Sequence, residues 1–203
     1  MIALINYGAG NIRSVEKALI QVGARVKIFT HPEGLQEAHA IVLPGVGAFD
    51  HCIQALGNQD LLDPVRTFIR SGKPFLGICV GYQALFERSE EFNSTAAGIG
   101  IFKGKVVRFK EGLKIPQIGW NQLEIVSSHN PLYQNIPNGS YVYFVHSYFP
   151  KPQDPSIVAT WSEYGEKFAS SIWHDNIFAT QFHPEKSQKV GLQILHNFVH
   201  WKG

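Results

Sequence analysis

The first half of the chain alternates between short apolar runs and longer segments in which apolar residues recur every three or four positions. The runs have the length of buried strands and are bounded by turn residues, whereas the longer segments have the period of a helix with one buried face. The pattern predicts strands at residues 2–5, 26–29, 40–43 and 74–78, and helices at residues 11–22, 61–69 and 80–90. Strands that alternate with helices favour right-handed crossovers and a mainly parallel sheet covered on both faces.

The second half, from about residue 98, has short apolar stretches separated by Gly, Pro, Asn and Asp, which is typical of antiparallel strands and hairpins. Such stretches lie at residues 105–109, 123–126, 141–144, 157–161 and 177–182, and residues 187–201 have helical periodicity. We therefore predict a three-layer α/β fold in which a mainly parallel sheet has flanking helices and an antiparallel extension. No linker or internal repeat interrupts the sequence, so residues 1–203 are expected to form one domain.

Composition and charge exclude several classes of protein. Hydrophobic residues make up 44% of the 203 residues and charged residues 17%, which is typical of a globular chain with one sizeable core. The net charge of +2 is too small to favour a nucleic-acid or anionic membrane surface. No apolar stretch is long enough to cross a bilayer, and the first residues lack the basic segment of a signal peptide. We expect a cytoplasmic protein that binds neither nucleic acid nor membrane.

Cys79 stands between Gly77 and Gly81, after an apolar run and before a helix-like segment. A strand that turns abruptly into a helix exposes its corner side chain above the sheet, and glycines two positions away remove the Cβ atoms that would crowd the corner. The corner also lies at a helix N-terminus, which favours a thiolate, and directs the backbone N–H of Val80 toward a developing oxyanion. The alternative is a buried cysteine in a glycine-rich strand end. Cys52, by contrast, is expected to be a small buried hydrophobe.

A base for such a nucleophile is present in the segment FHPEKS, which follows the apolar run at residues 177–180. His183 and Glu185 are two positions apart, so in extended geometry their side chains share a side and the carboxylate can hold the imidazole in one tautomer. Pro184 stiffens the turn between them. The alternative is that His183 is one of nine histidines without a special role.

A glycine loop, PGVG at residues 44–47, follows another predicted strand. Backbone N–H groups in such loops can point at an anion or oxyanion, and no Gly-Lys-Ser/Thr follows that would make it a phosphate-binding loop. The three features therefore fit a site at the carboxyl edge of the sheet, where ligands of α/β proteins bind.

These residues carry a family resemblance. Cys79, His183 and Glu185 in their motifs resemble the Cys-His-Glu triad of the class I glutamine amidotransferases. Longer blocks resemble the glutaminase subunits of imidazole glycerol phosphate synthase, and they lie in order across nearly the whole chain: NYGAGNIRSVEKAL from residue 6, PGVGAF from 44, KIPQIGWN from 114, YFVHSYF from 143 and FHPEKSQ from 182.

The resemblance implies hydrolysis of L-glutamine. Cys79 would attack the side-chain amide, His183 would serve as base and then as acid toward the departing ammonia, and Glu185 would orient His183. Oxyanion donors would be Val80, Val46 and Gly47. The residues around the bound glutamine would be Gln83, Glu91, Ser147 and Tyr148. No metal and no cofactor is expected.

The resemblance also implies a protein partner, the cyclase subunit, which is a (β/α)8 barrel. Ammonia would pass to it through a dry passage for the synthesis of imidazole glycerol phosphate and an aminoimidazole carboxamide ribotide in histidine biosynthesis. Residues at or near this interface would be Asn11, Trp120, Asn121, Tyr143 and Lys186. Without the resemblance, Trp120 and Tyr143 would be interpreted as core or strand aromatics and Lys186 as a solvated charge.

The chain departs from the pattern of the family at Asn6, Tyr82 and Gln117, none of which is a catalytic group. Three other functions stay open at this point. The chain could supply ammonia to a different synthase, such as an enzyme that modifies sugars of polysaccharides. It could be a regulatory subunit without activity, although the intact triad argues against this. It could also be a thiol hydrolase that acts on an ester or peptide.

Overall fold

Residues 1–127 and 129–203, which the computed structural model describes, contain thirteen strands, five α-helices and five short 3₁₀ helices. The first half holds β1 (Ile2–Ile5), α1 (Ile12–Gln21), β2 (Val26–Phe29), β3 (Ala40–Gly45), α2 (Phe49–Asn58), α3 (Leu62–Arg70), β4 (Phe75–Cys79), α4 (Val80–Gln83) and β5 (Phe86–Ser89). The second half holds β6 (Phe102–Arg108), β7 (Gln117–Gln122), β8 (Glu124–Ile125), β9 (Tyr141–His146), β10 (Tyr148–Pro152), β11 (Val158–Glu163), β12 (Lys167–His174), β13 (Ile177–Thr180) and α5 (Gln188–His200).

The main sheet has eight strands in the order β2-β1-β3-β4-β13-β12-β11-β8. The five strands from β2 to β13 are parallel to one another, and the remaining three continue the sheet in antiparallel fashion. The predicted α/β fold, with its mainly parallel sheet and antiparallel extension, is confirmed. Strands β1, β3 and β4 are buried along their whole length, which explains why their sequences are continuous apolar runs and do not alternate.

The crossovers leave the centre of the sheet in opposite directions. In the strand order β2-β1-β3-β4, the connection through α1 runs from β1 to β2, toward one edge of the sheet. The connection through α2 and α3 runs from β3 to β4, toward the opposite edge. Right-handed connections therefore put these helices on opposite faces of the sheet. In agreement, α1 packs against α5, and α2 packs against α3.

Two smaller sheets complete the second half. One has the order β10-β6-β5, and the other pairs β7 with β9 in antiparallel register. The β7–β9 pair buries one face and exposes the other, because buried and exposed residues alternate along β9. Within residues 1–127 and 129–203, no helix has the length and apolar character that crossing a bilayer requires.

The predicted helix over residues 80–90 is wrong beyond its first turn. Helix α4 ends at Gln83, and the chain then extends into β5, which pairs with β6. The carbonyl of Ala84 accepts a hydrogen bond from Ile99 N–H (2.7 Å), and the carbonyl of Leu85 accepts one from Ile101 N–H (2.9 Å), so these groups are not available to a longer helix. Phe86, fully buried between Tyr82 and Phe102, holds this arrangement.

Candidate active site

Cys79 occupies a strained backbone position at the corner between β4 and α4. Its φ of 55° lies in the left-handed region, which residues with a side chain seldom adopt. A Cβ on Gly77 would lie 2.7 Å from the carbonyl oxygen of Gly81, and a Cβ on Gly81 would strike the carbonyl of Leu43 in β3. The glycines therefore let α4 pack directly against the backbone of β4 and β3. The sequence predicts glycines here only to avoid crowding Cys79, whereas in the structure it is the backbone of Gly81 and of Leu43 that leaves no room for a Cβ. Helix α4 is a single turn, so its dipole is small. Any stabilisation of a Cys79 thiolate by this helix therefore comes from the N–H groups of its first turn and not from the dipole of a long helix.

Register brings three strand ends side by side at this corner. Gly45 at the end of β3 pairs with Cys79, and Thr180 at the end of β13 pairs with Ile78. The chain that leaves β13 places His183 next to Cys79. The glycine loop, the cysteine and the histidine thus meet at the carboxyl edge of the sheet, as the sequence predicts.

His183 and Glu185 form a buried pair. His183 Nδ1 lies 2.8 Å from Glu185 Oε1, and the two side chains are 2% and 1% exposed. The backbone of His183 is held as well, because its N–H donates to the carbonyl of Tyr143 (3.0 Å) and its carbonyl accepts from Ser187 Oγ (2.7 Å). The ring orientation is therefore fixed by contacts on both sides of the residue.

The charge environment favours a protonated His183. Burial by itself lowers the pKa of this imidazole, but the negative charges of Cys79 and Glu185 outweigh burial and raise the pKa to about 10. His183 Nε2 has no hydrogen-bond partner within residues 1–127 and 129–203, although Cys79 is close enough for its charge to act on the ring. This nitrogen is therefore available to carry a proton to or from a reacting group.

A cavity of about 490 Å³ opens above Cys79. Nine other residues predicted from the sequence also line it: Val46, Gly47, Val80, Gln83, Glu91, Ser147, Tyr148, His183 and Lys186. Glu185 does not line the cavity, because its side chain is buried on the far side of His183. A larger cleft of about 760 Å³ lies beside Trp173 and Trp201, but it contains none of the residues predicted for the site.

Two of the predicted glutamine-binding side chains are anchored by the protein itself. Gln83 Nε2 donates to the carbonyl of Tyr148 and to Gln181 Oε1, both at 3.1 Å. Glu91 Oε2 accepts a hydrogen bond from the backbone N–H of Phe49 (2.8 Å) at the start of α2. Burial raises the pKa of Glu91, and the hydrogen bond from Phe49 opposes that effect.

The glycine loop packs on the corner through Gly45. A Cβ on Gly45 would lie 2.5 Å from the hydroxyl of Tyr7 and 2.8 Å from Cβ of Val80, so only glycine fits there. Beyond this point the loop is open to solvent: Val46 is exposed, and Gly47 has a φ of 89° with no heavy atom near its missing Cβ. The loop is therefore fixed at one end and unrestrained by side chains at the residues predicted to donate to an oxyanion.

Three of the five residues predicted for the interface lie together on the exposed face of the β7–β9 pair. Trp120 and Tyr143 are cross-strand partners in edge-to-face contact at 6.0 Å, and Lys186 Nζ lies 6.0 Å above the Tyr143 ring. Trp120 is 45% exposed, which excludes its interpretation as a core aromatic. We call this surface, together with the exposed Ile118 and Tyr141, the aromatic patch.

The other two interface residues are placed differently. Asn121 is half-buried and donates to the carbonyl of Glu163 (2.8 Å), so it holds the β7–β9 pair to the end of β11. Asn11 precedes α1, where its carbonyl accepts from the backbone N–H groups of Ser14 and Val15. Within the described residues, no side-chain hydrogen bond joins either residue to the aromatic patch.

Several residues of the site carry no predicted role. Gln181, fully buried, donates from Nε2 to Cys79 Sγ at 3.6 Å, and it begins the segment that holds His183. His146 is buried beside the cavity, and its Nε2 lies 3.0 Å from the side chain of Gln117. His146 stands inside the block YFVHSYF and Gln181 directly precedes the block FHPEKSQ, but nothing in a linear sequence shows where their side chains point.

Comparison with known proteins defines the class. Residues 3–201 match the family model described as glutamine amidotransferase class-I, so the chain belongs to that family. Two solved structures share its fold at low sequence identity. One, described as a glutamine amidotransferase, has a TM-score of 0.74 at 18% identity and covers 95% of each chain. The other, PurLQS from Thermotoga maritima, has a TM-score of 0.76 at 16% identity and covers 97% of this chain and 96% of its own.

Closer relatives define the branch within this class. The chain is 52% identical over 201 residues to the imidazole glycerol phosphate synthase subunit HisH of Thermosynechococcus vestitus, with 98% of this chain and 95% of the relative covered. It is 47% identical over 205 residues to the HisH subunit of Syntrophotalea carbinolica, with 98% of both covered. It therefore groups with the HisH subunits.

Proposed function

We propose that this chain is the glutaminase subunit of an imidazole glycerol phosphate synthase, that it acts in the cytoplasm, and that its 203 residues form one glutaminase domain. It hydrolyses L-glutamine to glutamate and ammonia and passes the ammonia to a cyclase subunit, a (β/α)8 barrel. The cyclase uses it to make imidazole glycerol phosphate and an aminoimidazole carboxamide ribotide. The observation that carries the proposal is the buried His183–Glu185 pair next to Cys79, in a chain that groups with the HisH subunits.

The reaction begins with attack of the Cys79 thiolate on the carbonyl carbon of the side-chain amide. The carbonyl oxygen becomes an oxyanion, which the backbone N–H of Val80 and those of the loop at Val46 and Gly47 stabilise. Protonated His183 gives its proton to the amide nitrogen, the carbon–nitrogen bond breaks, and ammonia leaves behind a thioester.

Hydrolysis of the thioester uses the same histidine in its other protonation state. The charge of Cys79 is one cause of the raised pKa of His183, and that charge is lost when the thioester forms. The pKa of His183 then falls, and the neutral ring removes a proton from water as the water attacks the thioester. Collapse expels glutamate and restores the thiolate beside protonated His183, while Glu185 holds the ring throughout.

The amino-acid moiety of glutamine would bind to Glu91, Ser147 and Tyr148, which all line the cavity. The carboxylate of Glu91 is suited to bind the α-ammonium group of the substrate, and the segment at Ser147 and Tyr148 to bind the rest of the amino-acid moiety. Because Glu91 accepts from Phe49 N–H directly after the glycine loop, bound substrate would stabilise the segment that carries the oxyanion donors.

The aromatic patch is the proposed docking surface for the cyclase. Ammonia protonates in water and becomes unreactive, so the two active sites must be joined by a dry passage. The aromatic patch adjoins the catalytic cavity, since Lys186 belongs to both and Val145 of β9 lines the cavity. The names of the relatives describe subunits of one synthase and do not favour a different ammonia acceptor.

The first test is glutamine hydrolysis by the purified chain, with and without a cyclase subunit and its ribotide ligand. We expect slow hydrolysis by the chain alone and strong stimulation by the complex, because a free glutaminase wastes glutamine and the loop at Val46 and Gly47 lacks side-chain restraints. Fast hydrolysis without a partner would contradict the regulatory part of the proposal. No stimulation by the cyclase would point to another acceptor.

The second test separates the two reactions of the complex. Cys79→Ala should abolish glutamine-dependent synthesis, whereas synthesis from added ammonium salt should persist, because the cyclase site does not use Cys79. Cys52→Ala is the matched control: Cys52 is fully buried in α2 and absent from the cavity lining, so glutamine-dependent synthesis should be retained. Loss of both reactions in Cys79→Ala would mean that Cys79 is structural.

A further inference from the structure

A buried side-chain amide that does not line the cavity contacts the sulfur of Cys79. Gln181 Nε2 donates to Cys79 Sγ at 3.6 Å, within the range of an N–H to sulfur hydrogen bond, and Gln181 is 0% exposed. Its backbone N–H donates to the carbonyl of Ser170 (2.8 Å) in β12, so the residue is fixed at both ends. Gln181 does not line the cavity, and none of the roles described above uses it.

The hydrogen-bond pattern fixes which end of this amide faces the sulfur. The carbonyl of Tyr148 can only accept, so the group of Gln83 that faces it must be the amide nitrogen. That same nitrogen faces Gln181, which must therefore present its oxygen to Gln83. The remaining end of Gln181, the amide nitrogen, points at Cys79 Sγ and donates to it.

The acceptor at the start of this pattern is itself held in place. The carbonyl of Tyr148 also receives His146 Nδ1 at 2.9 Å, and a carbonyl requires that this nitrogen carries the proton. Burial lowers the pKa of His146 to about 4, so the ring is neutral at ordinary pH with its proton on Nδ1. Nε2 then accepts, which requires Gln117 to turn its amide nitrogen, and not Oε1, toward the ring. His146 Nδ1 and Gln83 Nε2 thus both donate to the carbonyl of Tyr148, and from Gln83 the hydrogen bonds continue in one direction through Gln181 to Cys79 Sγ.

We propose that Gln181 is a catalytic residue that stabilises the Cys79 thiolate through its side-chain N–H, and that Gln83 is the positioning residue that orients it. The proposal rests on the glutaminase function above. A hydrogen bond to an ionised acceptor is about twice as strong as one to a neutral group. Gln181 therefore favours the thiolate over the thiol before attack and again when the thioester collapses, since both states place negative charge on Sγ.

The test measures the reactivity of Cys79 without using glutamine. The full chain is alkylated with iodoacetamide between pH 5 and pH 10, and the modification of Cys79 is quantified by peptide mass spectrometry, which separates it from Cys52. In Gln181→Met, which keeps the size of the side chain but lacks a donor, the rise of the alkylation rate should move to higher pH. In Gln181→Glu a carboxylate faces the sulfur, and the rise should move further in the same direction.

Activity supplies the second measurement. The kcat for glutamine should fall about 10- to 100-fold in Gln181→Met, with a smaller change in KM, since the lost hydrogen bond acts on the reacting sulfur. Gln193→Met is the matched control, because within residues 1–127 and 129–203 the side chain of Gln193 bonds to Asn197 on α5 alone, and it should leave both measurements unchanged. Circular dichroism and a thermal midpoint establish that each variant folds.

Equal alkylation profiles in wild type, Gln181→Met and Gln181→Glu would overturn the role of Gln181. A folded Gln181→Met that loses activity with an unmoved profile would likewise overturn it and make Gln181 structural. If Gln181→Met does not fold, Gln83→Met serves in its place. It removes the hydrogen bond that orients the Gln181 amide, so it should also move the rise of the alkylation rate to higher pH, but by less. A wild-type chain that does not hydrolyse glutamine in the complex would refute the proposed function. The alkylation profile would still test the role of Gln181, because it does not depend on glutamine.

Discussion

Tyr7 carries a buried hydroxyl for which the described part of the chain offers no hydrogen-bond partner, although the hydroxyl lies against the glycine loop at Gly45. Burial raises the pKa of Tyr7 far above its usual value, so the phenol stays protonated. Its polar neighbour is the thiol of Cys52, a weak acceptor whose pKa burial raises to about 12. An unpaired buried hydroxyl destabilises the folded state, so we predict that Tyr7→Phe raises the free energy of unfolding by about 1 kcal/mol in urea titrations.

A second tyrosine provides the control for this measurement. Tyr133 is also buried, but its hydroxyl donates to Ser171 Oγ at 2.6 Å, far from the cavity. Tyr133→Phe should therefore lower the free energy of unfolding by about 1 kcal/mol. If both variants lost stability to the same extent, the hydroxyl of Tyr7 would have to be bonded in solution.

At the scale of residues, the sequence predicts those parts of the site whose chemistry is local. His183 and Glu185 are two positions apart, and each glycine is two positions from Cys79. Spacing in the sequence is therefore enough to predict the imidazole–carboxylate pair and the sharp turn at Cys79. Gln181 could not be assigned in this way, because its partners Cys79 and Gln83 are 102 and 98 positions away. Their contact depends on the parallel pairing of β4 with β13, which a single sequence does not reveal.

At the scale of elements, the corner between β4 and α4 depends on packing that a methyl group would prevent. A Cβ on Gly81 would strike the backbone of Leu43, and backbone cannot move aside as a flexible side chain can. We predict that Gly81→Ala costs roughly 3 kcal/mol or more and leaves little folded protein, as judged by circular dichroism and urea unfolding.

Gly57 in α2 is the matched control for this substitution. It is exposed, has helical backbone, and a Cβ there would meet nothing within 4 Å. Gly57→Ala should raise the free energy of unfolding by roughly 0.5–1 kcal/mol, because alanine loses less conformational freedom in a helix. A stable, active Gly81→Ala variant would show that α4 does not pack on β3 as described.

Two of the elements that the sequence fails to predict share a physical cause. The apolar residues that give residues 80–90 a helical pattern are buried on all sides. Their spacing therefore reflects burial in the core and does not indicate a helix. Strand β12 has no alternation because five consecutive residues, 168–172, are buried on both faces of the sheet. Helix α2 also lacks a prediction, although Phe49, Cys52, Ile53 and Leu56 form a regular buried stripe. Periodicity separates a helix from a strand only where one face meets solvent, so a fully buried segment is ambiguous, whereas the stripe of α2 is one that the periodicity could have identified.

At the scale of the whole molecule, the topology collects the site at one edge and places the aromatic patch beside it. The carboxyl ends of β3, β4 and β13 are neighbours only because β13, the last strand in the chain, inserts next to β4. The segment after β13 then donates from His183 N–H to the carbonyl of Tyr143, which joins His183 directly to the β7–β9 pair. A partner that docks on this pair therefore acts on the backbone that holds His183.

The final prediction concerns the aromatic patch. Trp120 exposes nearly half of a large side chain next to Tyr143, and residues of this kind contribute most to binding when an interface buries them. We predict that Trp120→Ala raises the Kd for the cyclase subunit at least about 10-fold in isothermal titration and lowers the stimulation of glutamine hydrolysis at subsaturating cyclase. Val126→Ala is the matched control, since Val126 is 55% exposed beside β8 at the far end of the main sheet and should leave the Kd unchanged. An unchanged Kd in Trp120→Ala would place the partner on another surface, and the stimulation would then have to reach His183 by a route other than the β7–β9 pair.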